Sequence, residues 1–237
     1  MSKRYKKVIS ENVKSLLFAV IAALFIRSFV IEPFKIPSPS MKPTLLIGDF
    51  IFVLKYPYGY SRHSLPFAPK LFEGRVFESS PERGDVIVFK FPKNDNVYFI
   101  KRVIGLPGDR IQMRDGLLYV NDQKVPREYI GKYSDEEYAD VQVFKETIGE
   151  KSFETLDLDP DGPLDNTREF SVPPEHYFFV GDNRDASNDS RRDVGFVPSE
   201  NLVGKAKIVF FSISGSFWHI WEWPKSIRFK RLLSIID

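Results

Sequence analysis

Two short segments of this chain carry side chains that could do covalent chemistry. In the first, Pro37-Ser38-Pro39-Ser40-Met41 followed by Pro43-Thr44, prolines fix the backbone and present the Ser38 and Ser40 hydroxyls on a stiff, extended loop. In the second, Tyr98 to Ile104, Lys101 interrupts an apolar run of Phe99, Ile100, Val103 and Ile104. A lysine in such a strand is unfavourable unless it is paired, exposed or neutral. A neutral amine is also what a serine nucleophile needs from a base, because burial that brings the pKa toward the working pH lets Nζ accept the hydroxyl proton. Ser40 and Lys101 are therefore the candidate nucleophile and base. Their spacing leaves open whether they meet, and the first segment taken alone also reads as an ordinary Pro/Ser linker.

Other routes to catalysis are poorly supplied. The 237 residues include no cysteine and three histidines. A thiol nucleophile, a disulfide scaffold and a thiolate metal site are thereby excluded. His63 lies in a Pro-rich loop, His176 follows Pro173-Pro174-Glu175, and His219 sits beside Trp218 and Trp221. None has the G-x-S-x-G context of a hydrolase elbow, and each reads as a polar-tipped packing residue. The stretch Asp157 to Gly162 opens like a calcium loop, but the bidentate glutamate needed at the twelfth position is Arg168, so it reads as an acidic turn. The run 181–190 lacks the glycine required at the sixth position of such a loop. No metal or other cofactor is expected. Lys+Arg 34 against Asp+Glu 32 gives no basic footprint for nucleic acid, and 43% hydrophobic residues is too many for a disordered chain.

The elements around these residues begin with a membrane segment. Lys3, Arg4, Lys6, Lys7 and Lys14 face only Glu11, and an apolar run then extends from Leu16 to Ile31, interrupted by Arg27 and Ser28. The absence of a small-x-small cleavage site after it favours an uncleaved anchor over a secretory signal. The reading is a basic cytoplasmic segment, 1–12, and a transmembrane helix, 13–33, with Arg27 snorkelling near its far end and Pro33 terminating it. A buried core helix is the alternative, and the basic flank argues against it. By the positive-inside rule, the remainder, 34–237, lies on the exported face of the membrane. Short Val/Ile/Phe-rich runs at 50–55, 85–91, 96–105 and 110–125, with turns at Pro92 to Asp95, Asp115-Gly116 and Asn121-Asp122, predict a mainly β, antiparallel domain. Two insertions, about 56–81 and 127–174, read as surface loops or a small sub-domain. The aromatic and basic tail, from Phe210 through Trp223 to Arg231, suits a headgroup surface or a core strand with an amphipathic end.

Five blocks, in this order, resemble bacterial type I signal peptidases: IPSPSMKPTLLIGDFIFVLK at 36–55, RGDVIVFK at 83–90, YFIKRVIGLPGD at 98–109, GDNRDASNDSR at 181–191 and GFVPSENLVGKA at 195–206. With the anchor they cover most of the chain outside the insertions. The resemblance implies a membrane-anchored serine endopeptidase. Such an enzyme removes N-terminal signal peptides from exported precursors after a small-x-small (Ala-x-Ala type) site, through an acyl-enzyme. It implies Ser40 as nucleophile, Lys101 as general base, Ser38 as an oxyanion donor beside the Ser40 N–H, Ser187 as the hydroxyl orienting the lysine, and Asp189 with Arg191 as a supporting pair. It further implies apolar subsites from Phe34, Ile36, Met41, Leu45, Ile51, Val88, Phe99 and Ile100, positions that read equally as core packing. The implied partners are signal peptides, the lipid bilayer of the bacterial cytoplasmic membrane and, by proximity, the export machinery. Pro39 stands where many relatives carry Gly, and Ala186 where Asn is frequent. A cytosolic Ser/Lys self-cleaving repressor protease is disfavoured by the anchor. A silent β scaffold is disfavoured by the joint presence of Ser40, Lys101 and Ser187.

Overall fold

A computed structural model describes residues 3–66, 68–69, 72–215, 221 and 223–236. The chain opens with helix α1, Lys3–Phe29, whose stretch Ser10–Phe29 is long and apolar enough to cross a membrane, at a mean hydropathy of 1.6. Leu16, Leu17, Phe18 and Phe25 are exposed along it. The helix ends at Phe29, four residues before the terminator expected at Pro33. Strand pairing decides this: β1, Ile31–Lys35, takes Glu32 and Pro33 into register with Val53 and Phe52. β1 is the outermost strand of its sheet, where a proline without an N–H is tolerated. The Arg27 guanidinium is drawn to β1, pairing with Glu32 at 2.9 Å.

The remaining strands are β2 (Asp49–Leu54), β3 (Val86–Phe91), β4 (Asn94–Gly105), β5 (Arg110–Arg114), β6 (Leu117–Val120), β7 (Gln123–Lys124), β8 (Arg127–Tyr133), β9 (Val141–Ile148), β10 (Lys151–Asp157), β11 (Phe170–Ser171), β12 (His176–Val180), β13 (Val197–Pro198), β14 (Leu202–Ser212) and β15 (Ser234–Ile235). They form an eight-stranded sheet in the order β1-β2-β14-β3-β4-β12-β13, with β15 added to β14, a three-stranded sheet β10-β9-β8 and a four-stranded sheet β11-β5-β6-β7. Every strand pairing is antiparallel, as the alternating apolar runs predict. The turns follow their local chemistry. Asp115-Gly116 and Asn121-Asp122 all take positive φ, the left-handed pairs that two-residue hairpins require.

The main sheet is packed on both faces. On β3, Val86 and Val88 enter one cluster with Ile51, Val53 and Val209, while Ile87 and Phe89 enter another with Val103, Phe179 and Leu202. A third cluster joins Phe178 and Val180 of β12 to Ile111, Met113 and Leu118 of the four-stranded sheet. Within 127–174, β8 to β10 are regular strands, half exposed and therefore weak in hydrophobic alternation. The described residues of 56–81 are mostly irregular, with short 3₁₀ turns at Tyr56–Tyr58 and Arg62–Ser64. Phe210 to Ser212 complete β14, and Arg228 and Arg231 turn back onto Asp49. Trp218, His219 and Glu222 lie outside the described residues.

Candidate active site

Pro39 opens a 3₁₀ turn, Pro39–Met41, with Ser38 extended before it, which turns the Ser40 side chain into the domain. Lys101 lies in the middle of β4, directly opposite Ile87 of β3. Its Nζ lies 2.6 Å from Ser40 Oγ and 2.8 Å from the Ile100 carbonyl oxygen. Lys101 is 3% exposed. Desolvation brings its pKa down to about 8, against the opposing pull of the Asp189 and Asp182 carboxylates. An ammonium offers three donors, and among the described residues two acceptors lie within hydrogen-bond reach, which further favours the neutral amine. The Phe99 ring lies 5.5 Å from Nζ.

Ser38 Oγ stands 3.3 Å from Ser40 Oγ. Asp189 and Arg191 form a buried pair: Asp189 Oδ1 accepts from Arg191 Nε at 3.0 Å, and Oδ2 from Nη2 at 2.8 Å. Burial pushes the Asp189 carboxyl up, but the Arg191 guanidinium and the Gly181 N–H outweigh it and hold it below the usual carboxylate range. Ser187, expected to orient the lysine, does not touch Nζ. Its Oγ is buried beside Asp189 without a hydrogen bond of normal geometry and makes none to Lys101, whose Nζ bonds the Ile100 carbonyl and Ser40. Of the eight expected subsite positions, Ile36, Met41, Leu45, Ile51, Val88 and Ile100 are sealed in one core cluster. Phe34 packs half-buried at its edge, and Phe99 borders the cluster on the other face.

Several residues that hold the site together were quoted within the sequence blocks but given no role there. Arg102, next to Lys101, pairs with Asp182 and donates Nη1 to the Gly84 carbonyl at 2.6 Å. Thr44 Oγ1 donates to Asp182 Oδ2 at 2.6 Å, and Asn183 N donates to the Ser40 carbonyl at 3.2 Å. Gly181 fills a gap that no side chain could occupy: a Cβ there would lie 2.2 Å from Ser187 Oγ and 2.5 Å from the Ser40 carbonyl oxygen. Among the described residues, His63 and His176 make no hydrogen bond to Ser40 or Lys101. The ring nitrogens of His63 are buried without partners, and His176 Nδ1 meets the Pro174 carbonyl. The Asp157 to Gly162 stretch is a tight acidic turn, with Gly162 N donating to Asp165 Oδ2 at 2.7 Å.

A family model described as signal peptidase, peptidase S26, matches residues 9–211. The chain belongs to the signal peptidase family, peptidase S26. It is accordingly a serine peptidase. It is 43% identical over 246 aligned positions to the signal peptidase I of Rickettsia canadensis (strain McKiel), covering 95% of this chain and 93% of that one. To the signal peptidase I of Rickettsia typhi (strain ATCC VR-144 / Wilmington) it is 42% identical, with the same coverage. Among solved structures, a signal peptidase I from Enterococcus faecalis V583 is 28% identical at a TM-score of 0.32, covering 54% of this chain and 97% of that one.

Proposed function

We propose that the chain is a membrane-anchored endopeptidase that removes signal peptides from exported precursors by a Ser40/Lys101 mechanism. The observation that carries this reading is the buried 2.6 Å contact between Ser40 Oγ and the pKa-lowered Lys101 Nζ. With the amine neutral, the Ser40 hydroxyl donates its proton to Nζ as Oγ attacks the scissile carbonyl. The negative charge formed on that carbonyl oxygen is met by the Ser40 N–H and the Ser38 hydroxyl. Protonated Lys101 then gives its proton to the leaving amine, breaking the peptide bond and leaving an acyl ester on Ser40. The same base deprotonates the water that hydrolyses the ester. Asp189 and Arg191 keep the loop behind Lys101 in place, and Ser187 fills the space beside it.

The precursor enters as an added strand along the sheet, with Phe34 at the rim of shallow subsites. Ile36, Met41, Leu45, Ile51, Val88 and Ile100 lie beneath as their floor, a shape that admits only small residues at −1 and −3. Helix α1 anchors the enzyme in the lipid bilayer of a bacterial cytoplasmic membrane. Residues 1–12 lie on the cytoplasmic side, and the β domain stands on the exterior face near the export machinery. No nucleic acid takes part. Cleavage of a precursor bearing an Ala-x-Ala site by the detergent-solubilised protein tests the mechanism, alongside Ser40→Ala and Lys101→Ala. Both variants should be inactive, and undiminished cleavage by either would sink the dyad. Protease protection on sealed vesicles tests the orientation; digestion of the β domain from the cytoplasmic side would overturn it.

A further inference from the structure

The tip of the β8–β9 hairpin, within the long insertion, reaches the nucleophile turn. Lys42, two residues beyond Ser40, has a side chain only 5% exposed. Its Nζ donates to Asp135 Oδ2 at 2.7 Å and to Glu137 Oε2 at 2.8 Å, and lies 4.5 Å from the centre of the Tyr138 ring. Three residues of one short tip thus converge on one ammonium. The tip is organised to present them: Asp135 Oδ1 accepts the Glu137 and Tyr138 N–H groups, each at 2.9 Å, and Oδ2 also accepts the Tyr133 hydroxyl at 2.6 Å.

The contacts close a ring around Ser40. Tyr138 Oη accepts from Asn183 Nδ2 at 3.1 Å; the same Nδ2 donates to the Pro39 carbonyl at 3.2 Å, and Asn183 N donates to the Ser40 carbonyl at 3.2 Å. From this geometry we infer that Lys42 is a positioning residue, through which the Asp135/Glu137 tip of the insertion latches the turn bearing Ser40 in its firing position. The inference rests on the Ser40/Lys101 reading.

Solvent-exposed ion pairs contribute little, but here the cation is desolvated while its two carboxylates keep partial access to water. Burial lowers the Lys42 pKa, and the hydrogen bonds and charges of Asp135 and Glu137 outweigh it, leaving a net rise. Desolvation pushes the Asp135 carboxyl up, and Lys42, Tyr133 and two backbone N–H groups bring it well below the carboxylate range. Tyr133 and Tyr138 also face this cluster, and the guanidinium groups of Arg228 and Arg231 act on Tyr133. Lys42 and Asp135 therefore stay ionised through the range in which Lys101 titrates, so their contact sets geometry without gating the reaction by pH. A misplacement of a reacting atom by about 1 Å lowers turnover by about 100-fold.

Steady-state kinetics on a signal-peptide substrate should compare Lys42→Met, the Asp135→Asn/Glu137→Gln pair, their combination and Lys42→Arg, with rates normalised to the folded fraction from thermal melts. The first two should lower kcat by about 10- to 100-fold, with KM moving less than about threefold and the acidic limb of the pH profile unmoved. The combination should fall no further than either, as one unit predicts, and Lys42→Arg should recover part of the loss. A kcat within twofold of the parent, or a loss that disappears on normalisation, overturns the latch. Ser40→Ala and Lys101→Ala run in the same assay separate the two readings. If they cleave, the dyad fails; if they are inactive while the latch variants match the parent, only the latch fails.

Discussion

Arg102 and Asp182 meet in a two-pronged pair, Nε to Oδ1 at 2.9 Å and Nη2 to Oδ2 at 2.8 Å, with both side chains sealed from water. The pair joins the strand that carries Lys101 to the loop that carries Asn183, and Thr44 ties the turn of Ser40 to the same carboxylate. Removing one partner strands a buried charge. Arg102→Met should therefore lower unfolding free energy by about 3–5 kcal/mol, and the pair Arg102→Met/Asp182→Asn by clearly less. Denaturant titration in detergent reads both; equal losses would deny that the stranded charge is the cause.

The pH dependence follows from Lys101. In the proposed mechanism activity requires the neutral amine, so kcat/KM should climb as pH rises and level off above about 8. A pH–rate profile with no ascending limb between pH 6 and 9 would contradict the assignment of the base.

The same lysine should weaken the fold at neutral pH. Its pKa falls from the ordinary 10.5 to about 8, so between those values the unfolded chain holds a proton that the native site lacks, and stability rises with pH across that window. Below it the native state carries a buried ammonium, at a penalty of about 3 kcal/mol. Lys101→Met removes that penalty but loses two hydrogen bonds of about 1 kcal/mol each. The inactive variant should be more stable than the parent at pH 7 and less stable at pH 10. Melts at the two pH values that show no reversal would refute the argument.

Gly181 leaves no room for a side chain. Gly181→Ala places a Cβ against the Ser40 carbonyl and Ser187 Oγ, and neither the backbone carbonyl nor the buried serine can retreat. Turnover should drop by at least about 100-fold. Restoring space with Ser187→Gly in the same chain should recover part of it, and the absence of any recovery would place the clash elsewhere.

Ser38 should act on turnover alone. In the proposed mechanism Ser38→Ala removes one donor to the developing oxyanion, and it should cost about 10²–10³ in kcat, with KM little changed and the fold intact. A loss confined to KM would assign the hydroxyl to substrate binding.

What the sequence determined by itself were the features governed by near neighbours. Apolar runs of strand length produced β2 to β6, Asp115-Gly116 and Asn121-Asp122 produced hairpins because those residues accept positive φ, and the apolar stretch behind the basic N-terminus produced α1. The types of Ser40 and Lys101 already limited the chemistry, since the chain offers no thiol and no histidine in a catalytic context. Tertiary structure alone decided that these two residues, 61 apart in the chain, meet at 2.6 Å. It also ended α1 at Phe29 because β1 pairs with β2, and ordered the half-exposed strands of the insertion. It sealed Ile36, Met41, Leu45, Ile51, Val88 and Ile100 in the core, and left Ser187 Oγ without a bond to the lysine. Each of these outcomes depends on strand register and on buried charges finding partners from distant segments. Such pairings exist only once the chain has closed on itself, and no local pattern encodes them.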